Sequence, residues 1–293
     1  MADPDEEIQR VFASRQPLCA IPSFRQLCNC LKAGLIAQAV ARLRDRRLRV
    51  VDAGAGRGGD LTKWTRYRLA SYLGVDLCEE ALLEARQRFS HMTCSGRAAL
   101  RTAFARCDLR RDLLPLPDVS VDVVSAQFVL QFLCDTAGGL AHFLDEVRRV
   151  LVPGGLFIAV FPDGSRLADF FAGLGTEIGG PTHRLGHFTF APRTAPETWT
   201  SFGARYHFQL PAGEPCNEYL VPTAELHAAL AARDFAPVLT APSLGAQRFF
   251  VDHCEALAST LLDGARVTEQ DWTTLACFRV VVAEAPQSGS PGS

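Results

Sequence analysis

The stretch VVDAGAGRGGDLTKW, residues 50–64, decides the fold of this chain. It places an apolar strand directly before a glycine-rich loop, with the pattern G-x-G-x-x-G at Gly54, Gly56 and Gly59. Glycines at this point let the backbone turn sharply and approach a ligand without a Cβ collision. The unpaired N–H groups of a helix that follows point toward the same ligand. The pattern predicts a strand–loop–helix unit at a ligand site, although taken alone it also fits a dinucleotide loop or a structural turn.

Short apolar strands alternate with helices on both sides of this loop, which predicts an α/β fold with a mostly parallel central sheet flanked by helices. In such a Rossmann-like sheet the ligand lies at the carboxyl ends of the strands. The predicted strands cover residues 48–53, 69–75, about 100–106, 120–126 and 156–161. The predicted helices cover residues 24–44, 59–66, 78–91 and 139–151.

One domain is predicted over residues 23–285, with a flexible lead-in at 1–22 and a disordered tail at 286–293. Residues 163–202 are rich in Gly, Pro and Thr, and we expect them to form an inserted loop after the fifth strand. Beyond the insert, the sequence predicts strands at RYHFQL and CNEYLV, a helix at TAELHAALAAR and a last strand at CFRVVVAEA.

The composition narrows the class of protein. Hydrophobic residues make up 48% of the 293 positions, which suffices for a sizeable core. The net charge of −2 is not the strongly basic balance of most polyanion-binding proteins. Ten scattered cysteines without a C-x-x-C pair predict free thiols in a reducing compartment. Because no apolar run approaches membrane-spanning length, we expect a soluble, intracellular protein.

Four acids accompany the loop and the ends of the first three strands, at Asp52, Asp60, Asp76 and Asp108. Carboxylates on both sides of the loop disfavour the pyrophosphate of a nicotinamide cofactor. They suit a cofactor with a cationic centre and an ammonium group, as S-adenosylmethionine has. Asp76 is then placed for the ribose diol and Asp108 for the adenine amino group. Each acid alone also fits a local role, such as a helix cap for Asp60 or a turn for Asp108.

The loop AGAGRGGDLTKW resembles the GCGKGGDLxKW signature of the mRNA cap guanine-N7 methyltransferases, which are class I S-adenosylmethionine-dependent methyltransferases. The V-P-G-G turn before LFIAVF is typical of many class I methyltransferases. Other segments resemble those of the family in the same order, over about residues 24–284: FRQLCNCLKAGLI, SAQFVLQFLCD, FGARYHFQL, CNEYLVP and VTEQDWTTLACFRVVVAEA. The sequence departs from the family pattern at Cys28, Cys30, Arg57, Gln131, Phe132 and Phe278.

The resemblance implies methyl transfer from S-adenosylmethionine to guanine N7 of the 5′ GpppN cap of mRNA, with no metal. It implies cofactor contacts from Lys32, Asp52, Gly54, Asp60, Asp76, Asp108 and Gln127. It implies contacts to the cap from Asn29, Arg57, Lys63, Phe128, Gln131, Phe132, Glu218 and Phe278.

The chemistry of the acceptor agrees with this set of residues. Guanine N7 has a free lone pair at neutral pH, so we expect positioning rather than a catalytic general base. Phe128 and Phe132 can stack on a purine, although aromatic residues at this spacing equally fit a core. Glu218 can accept hydrogen bonds from guanine N1 and N2, and Gln131 can donate one to the guanine edge without a positive charge.

Capped mRNA is the expected partner, with an activating subunit or other capping enzymes as further partners and no membrane. The expected location is the nucleus for a cellular protein, and the host cytoplasm or nucleus for a viral one. Two alternatives remain open. One is a methyltransferase for a small metabolite, and the other is a non-catalytic binding subunit with a methyltransferase fold.

Overall fold

The computed structural model describes residues 9, 22–44, 46–93, 100–174, 182–194, 199, 201–209, 216–254 and 266–287. The predicted lead-in, apart from Gln9 and Pro22, and the tail beyond Gln287 lie outside the described residues, so both stay predictions.

The centre of the fold is an eight-stranded sheet in the order β10-β12-β5-β4-β1-β2-β3, with β11 also paired to β12. Strands β1 to β5 run parallel, whereas β10, β11 and β5 are antiparallel to β12. The strands are β1 Leu48–Ala53, β2 Leu69–Asp76, β3 Arg101–Arg106, β4 Val121–Gln127, β5 Leu151–Pro162, β10 Ala236–Pro237, β11 Leu244–Gly245 and β12 Phe278–Glu284. The predicted α/β fold with a mostly parallel sheet is confirmed.

Helices cover both faces of this sheet. They are α1 Pro22–Arg42, α2 Leu61–Trp64, α3 Glu79–Thr93, α4 Ala137–Val150, α5 Gly164–Leu174, α6 Thr223–Ala231, α7 Ala246–His253 and α8 Glu269–Leu275, with a 3₁₀ turn at Leu130–Phe132. Neighbouring residues of β1 belong to different cores: Val50 packs with Leu31 of α1, and Val51 with Phe143 of α4. Since both faces are buried, the strand is apolar apart from Arg49 and Asp52. Among the described residues, no helix has the length and apolar character needed to cross a membrane.

A second, antiparallel sheet follows the order β6-β7-β8-β9. Its strands are β6 His183–Leu185, β7 Phe188–Pro192, β8 Arg205–Gln209 and β9 Cys216–Tyr219. The expectation of an inserted loop over 163–202 is therefore wrong for the described part of that segment, which contains α5, β6 and β7. The composition concealed these strands because Gly186, at φ 60°, supplies a tight hairpin turn between β6 and β7.

Other differences from the predictions are local. Helix α2 is a single turn rather than the predicted run over 59–66. The V-P-G-G segment lies within β5, where the pairing to β4 shifts register between Val121 and Val123. Helices α7 and α8 were not predicted, and the other predicted elements form within a few residues of their expected bounds.

Candidate functional site

A cavity of about 570 Å³ lies at the carboxyl ends of the parallel strands, between the glycine loop and the second sheet. Most of the predicted site residues line it: Asn29, Lys32, Gly54, Arg57, Asp60, Asp76, Asp108, Gln127, Phe128, Gln131, Phe132, Glu218 and Phe278. Asp52 and Lys63 do not line it. The fold thus brings together residues that lie far apart in sequence, and their contacts with bound molecules stay predictions.

The glycine loop is pinned to the end of β2. The amides of Gly54 and Ala55 both donate to Val75 O, at 2.8 and 2.9 Å. Gly54 has φ 71°, and a Cβ there would collide with Val129. Gly56, at φ 50°, faces open space and donates its amide to Asp76 Oδ2 at 2.8 Å. The glycines therefore allow a sharp turn and keep the cavity-facing side of the loop free of side chains.

Asp76 presents a half-buried carboxylate at the end of β2. Its Oδ2 accepts from Gly56, and its Oδ1 accepts from the amide of Cys78 at 2.9 Å. Burial raises the pKa of Asp76, against these opposing backbone hydrogen bonds. Each carboxylate oxygen can accept a second hydrogen bond, so the geometry suits a neighbouring diol.

Asp60 is the centre of a buried charge cluster. Lys32 Nζ lies 2.7 Å from Asp60 Oδ1, and Lys63 Nζ lies 2.8 Å from the same oxygen. Burial would raise the pKa of Asp60, but the two lysines outweigh it and lower that pKa to about 2. Asp60 also stands at the N-cap position of α2, yet its side chain makes no capping hydrogen bond. The interpretation of Asp60 as a helix cap is therefore wrong.

Asp52 and Lys63 are buried next to the cavity but do not line it. Asp52 accepts a hydrogen bond from Tyr72 Oη at 2.5 Å, and burial together with the nearby charge of Asp60 raises its pKa to about 7. Lys63 Nζ is held by Asp60 and by Gly59 O at 3.2 Å. Both residues interact with Asp60, and their predicted contacts with a cofactor or cap stay predictions. The sequence pattern could not separate these two kinds of contact.

Asp108 forms the turn that its sequence context allows. Its Oδ1 accepts from the amide of Arg110 at 3.0 Å, and its Oδ2 lies 2.6 Å from Arg111 Nε. Burial favours a raised pKa, but Arg110 and Arg111 outweigh it and lower the pKa of Asp108. Asp108 also lines the cavity. Each of its carboxylate oxygens already has two donors from Arg110 and Arg111, and the predicted contact with adenine stays a prediction.

The end of β4 carries two residues of the cavity wall. Gln127 Nε2 donates to Ser125 Oγ at 3.0 Å, while its Oε1 is buried without a hydrogen-bond partner among the described residues. Phe128 has φ 61°, a conformation rare for a non-glycine residue. Its ring packs edge-on against Phe278 at 5.1 Å between centroids, and Lys32 Nζ lies 5.8 Å from the Phe128 centroid.

Glu218, on β9, lines the cavity on the side formed by the second sheet. Tyr206, its cross-strand neighbour on β8, donates its hydroxyl to Glu218 Oε2 at 2.5 Å. Burial raises the pKa of Glu218 to about 7, against opposing hydrogen bonds from Tyr206 and Gln131. Phe188, Phe190 and the ring of Tyr206 form an aromatic wall around this carboxyl group.

Several lining residues do not stand out in the sequence, among them Tyr206, Arg25 and Arg88. Tyr206 reaches Glu218 through strand register, which no local pattern reveals. Arg25 and Arg88 are exposed residues at the cavity rim. Arg25 could have been found, because it precedes Asn29 by one helical turn on the same face of α1. Arg57, also on the rim, lies 3.6 Å from Glu84.

Comparison with known proteins gives the following similarities. The mRNA (guanine-N(7))-methyltransferase domain family matches residues 5–255. The chain is 27% identical over 207 residues to the mRNA cap guanine-N(7) methyltransferase of Schizosaccharomyces pombe, covering 69% of this chain and 56% of that protein. It is 28% identical over 206 residues to the mRNA cap guanine-N(7) methyltransferase 1 of Arabidopsis thaliana, covering 68% of this chain and 55% of that protein. The chain spans about half the length of these curated relatives.

The fold itself has solved counterparts. The S-adenosylmethionine dependent methyltransferase from Mesorhizobium loti superposes with a TM-score of 0.51 at 19% identity, covering 85% of this chain and 95% of that chain. This similarity concerns the fold alone. It agrees with the Rossmann-like methyltransferase fold predicted from the sequence.

Proposed function

The chain belongs to the mRNA (guanine-N(7))-methyltransferase family, and from that premise we propose that it methylates guanine N7 of the 5′ GpppN cap of mRNA, using S-adenosylmethionine. One observation carries the proposal. A buried carboxyl group on β9, Glu218, faces the same cavity as the glycine loop and Asp76. A site for an adenosine cofactor and a site for a base with adjacent hydrogen-bond donors thus share one enclosed space.

The residues on the loop side fit S-adenosylmethionine. Asp76 retains acceptor capacity for a ribose diol, and the buried Gln127 Oε1 lacks a donor that an ammonium group would provide. Lys32 has hydrogen-bond donors beyond the one used by Asp60 and would hold a carboxylate. When bound, the cofactor supplies an electrophilic methyl group on a sulfonium centre.

The residues on the acceptor side fit a guanine. Glu218 would accept from N1–H and N2–H, while Phe128 and Phe132 offer faces for stacking. Adenine lacks this pair of donors and would leave the buried carboxylate unmatched, which is a strong penalty. At the rim, Arg25, Arg57 and Arg88 would meet the triphosphate bridge.

The mechanism we propose is one of positioning. Guanine N7 needs no proton removed, so the protein must hold N7 in line with the methyl group and exclude water. Methylation makes the guanine ring cationic. The carboxylate of Glu218, surrounded by aromatic side chains, favours that charge as it develops. In this scheme Lys32 and Lys63 hold Asp60 in its ionised form on the cofactor side throughout.

The test uses the purified chain with labelled S-adenosylmethionine and either GpppA, GpppG or ATP. We expect methyl transfer to both dinucleotide caps, no transfer to ATP, and inhibition by S-adenosylhomocysteine. Methylation of a small metabolite without methylation of the caps would favour the metabolite alternative. Binding of cofactor and cap without transfer would favour the non-catalytic alternative. Adding an activating subunit or longer capped RNA tests whether further partners raise the rate.

A further inference from the structure

Three neighbouring strands carry exposed arginines at their amino ends. Strands β1, β2 and β3 are adjacent and parallel in the central sheet. Arg47 directly precedes β1, Arg68 directly precedes β2, and Arg101 is the first residue of β3. All three residues are exposed. Adjacent strands lie about 4.8 Å apart, so these arginines share one edge of the sheet, which we call the arginine edge.

The charges of the arginine edge are not neutralised by acids among the described residues. Arg47 donates from Nε and Nη2 to Leu69 O, at 3.3 and 3.2 Å, which holds the side chain in place without cancelling its charge. Arg68 and Arg101 make no side-chain hydrogen bond or ion pair within the part of the chain that the structure describes. Their guanidinium groups therefore retain their full capacity to bind an anion.

The segment before β1 adds further positive charge to this region. Residues 42–49, RLRDRRLR, contain five arginines and one aspartate, Asp45, which lies outside the described residues. Arg46 and Arg49 share one buried carboxylate, that of Asp122, so two positive charges meet one negative charge there. Because the whole chain has a net charge of −2, its positive charge is unevenly distributed and favours this edge as a surface for a polyanion.

An aromatic ring accompanies these charges. Tyr67 lies between two exposed arginines, Arg66 and Arg68, and is itself half-buried against the core. Proteins that bind single-stranded nucleic acid without sequence preference combine basic groups along the backbone with aromatic side chains on which bases stack. An acidic peptide would use the charges alone. The arginine edge together with Tyr67 therefore fits a single-stranded nucleic acid better than an acidic protein segment.

We propose that the arginine edge binds the phosphates of the RNA chain downstream of the cap. This inference rests on the proposed function, in which the acceptor guanine is the end of an RNA chain. The cavity lies at the carboxyl ends of the same strands, and β2 has 8 residues, so the edge is about 26 Å from the cavity. A stacked strand rises about 3.4 Å per nucleotide, so it reaches the edge about eight nucleotides from the cap. A cap dinucleotide is too short.

The first test compares GpppA with a capped RNA of about 20 nucleotides, which is long enough to reach the edge. In Arg68→Gln/Arg101→Gln we expect KM for the longer RNA to rise at least about fivefold. The slope of log KM against log salt concentration should fall by about 1.4, since each lost phosphate contact removes about 0.7. For GpppA, kcat and KM should stay unchanged, which also shows that the variant is folded.

An unchanged KM for the longer RNA would overturn the inference while leaving cap methylation intact. A rise in KM for GpppA as large as that for the longer RNA would overturn it as well, because the effect would then lie at the cavity. Absence of methyl transfer to GpppA in the wild-type protein would instead overturn the proposed function.

The second test measures binding of the same RNA without its cap by fluorescence anisotropy, so it does not depend on methylation. We expect Arg68→Gln/Arg101→Gln to bind this RNA at least about fivefold more weakly than wild type. Poly-glutamate tests the other class of polyanion. Weaker binding of poly-glutamate with unchanged binding of RNA would assign the edge to an acidic protein partner and overturn the inference.

Arg248→Gln/Arg266→Gln is the matched control. Both arginines are exposed, on α7 and shortly before α8, and neither lies at the amino ends of β1 to β3. The same loss of charge there should leave KM for the longer RNA within about twofold of wild type. An equal rise would mean that net charge alone sets the affinity, against a site at the arginine edge. Arg68→Lys/Arg101→Lys keeps both charges and should retain most of the salt dependence.

Discussion

Asp60 and Glu218 are equally buried, at 7% and 6% exposure, and line the same cavity, yet their acidities move in opposite directions. The pKa of Asp60 falls to about 2 because Lys32 and Lys63 outweigh its burial. The pKa of Glu218 rises to about 7 because burial outweighs the hydrogen bonds from its neutral neighbours. Burial alone therefore does not decide the charge of a carboxyl group. The charges beside it do.

The two sides of the cavity differ accordingly. On the cofactor side, Asp60 is already paired with two lysines before any ligand binds. On the acceptor side, an aromatic wall surrounds a carboxyl group whose hydrogen-bonding partners among the described residues are neutral. We expect the cofactor side to act mainly through fixed geometry, and the acceptor side to respond strongly to whether the bound base supplies donors.

Glu218→Gln should lower kcat/KM for GpppA by about 100-fold or more, because a neutral amide cannot replace a buried carboxylate facing two donors and a developing positive charge. Calorimetric titration should show S-adenosylhomocysteine binding within about twofold of wild type. Loss of both cap methylation and S-adenosylhomocysteine binding would indicate that Glu218 acts on the cofactor side, which would contradict the difference between the two sides of the cavity.

Lys32→Met should weaken S-adenosylhomocysteine binding by about 10- to 100-fold. Lys32 faces the cavity, and its removal leaves Asp60 with one cationic partner. Equilibrium binding measures this directly. Lys63→Met is the matched control, because Lys63 contacts the same oxygen from behind the wall. It should mainly lower the free energy of unfolding. Equal losses of binding in the two variants would contradict a positioning role for Lys63.

The pH dependence of cap methylation should show an acid limb near pH 7. Below that pH the Glu218 carboxyl group is protonated and cannot accept from both guanine donors, so kcat/KM should fall about tenfold per pH unit. The limb should disappear in Glu218→Gln. If it persists there, Asp52, whose pKa is also about 7, is its source.

The contributions of Glu218 and Asp60 to the free energy of unfolding should depend on pH in opposite directions. The pKa of Glu218 is raised from 4.5 to about 7, so its stabilising contribution is fully present below pH 4.5 and is lost as pH rises through 7. Glu218→Gln should therefore raise the free energy of unfolding at pH 8.5 by up to about 3 kcal/mol relative to wild type.

Asp60 supplies the opposite case. Its pKa is lowered from 3.8 to about 2, so its contribution is present above pH 3.8 and is lost as pH falls through 2. Asp60→Asn should therefore lower the free energy of unfolding at pH 8.5 by about 2 kcal/mol or more. Urea unfolding at pH 8.5 measures both variants. Changes of the same sign would refute the contrast between the two carboxyl groups.

The sequence predicts the cofactor side better than the acceptor side, and for a physical reason. The strand, the glycines and Asp76 lie within one β-α-β segment, where periodicity and glycine placement are local signals. The pairing of Tyr206 with Glu218 depends on the register of two strands, and the orientation of Gln131 depends on Phe128 and Glu218 together. Neither contact leaves a local pattern. The sequence does not reveal that Asp52 and Lys63 lie outside the cavity lining, because side chains one layer apart look alike in sequence.

The position of the second sheet in the chain has a consequence for divergence among related proteins. Strands β6 to β9 fall within residues 183–219, between β5 and α6, whereas the glycine loop and Asp76 belong to residues 48–76. Under the proposed function, changes in the later segment would alter which base is accepted while the earlier segment continues to bind the same methyl donor. The stretch from Gln127 to Phe132 borders both segments, and so does α1, whose Phe24 packs against Phe188 and whose Lys32 pairs with Asp60. A change of acceptor at either place must remain compatible with the donor.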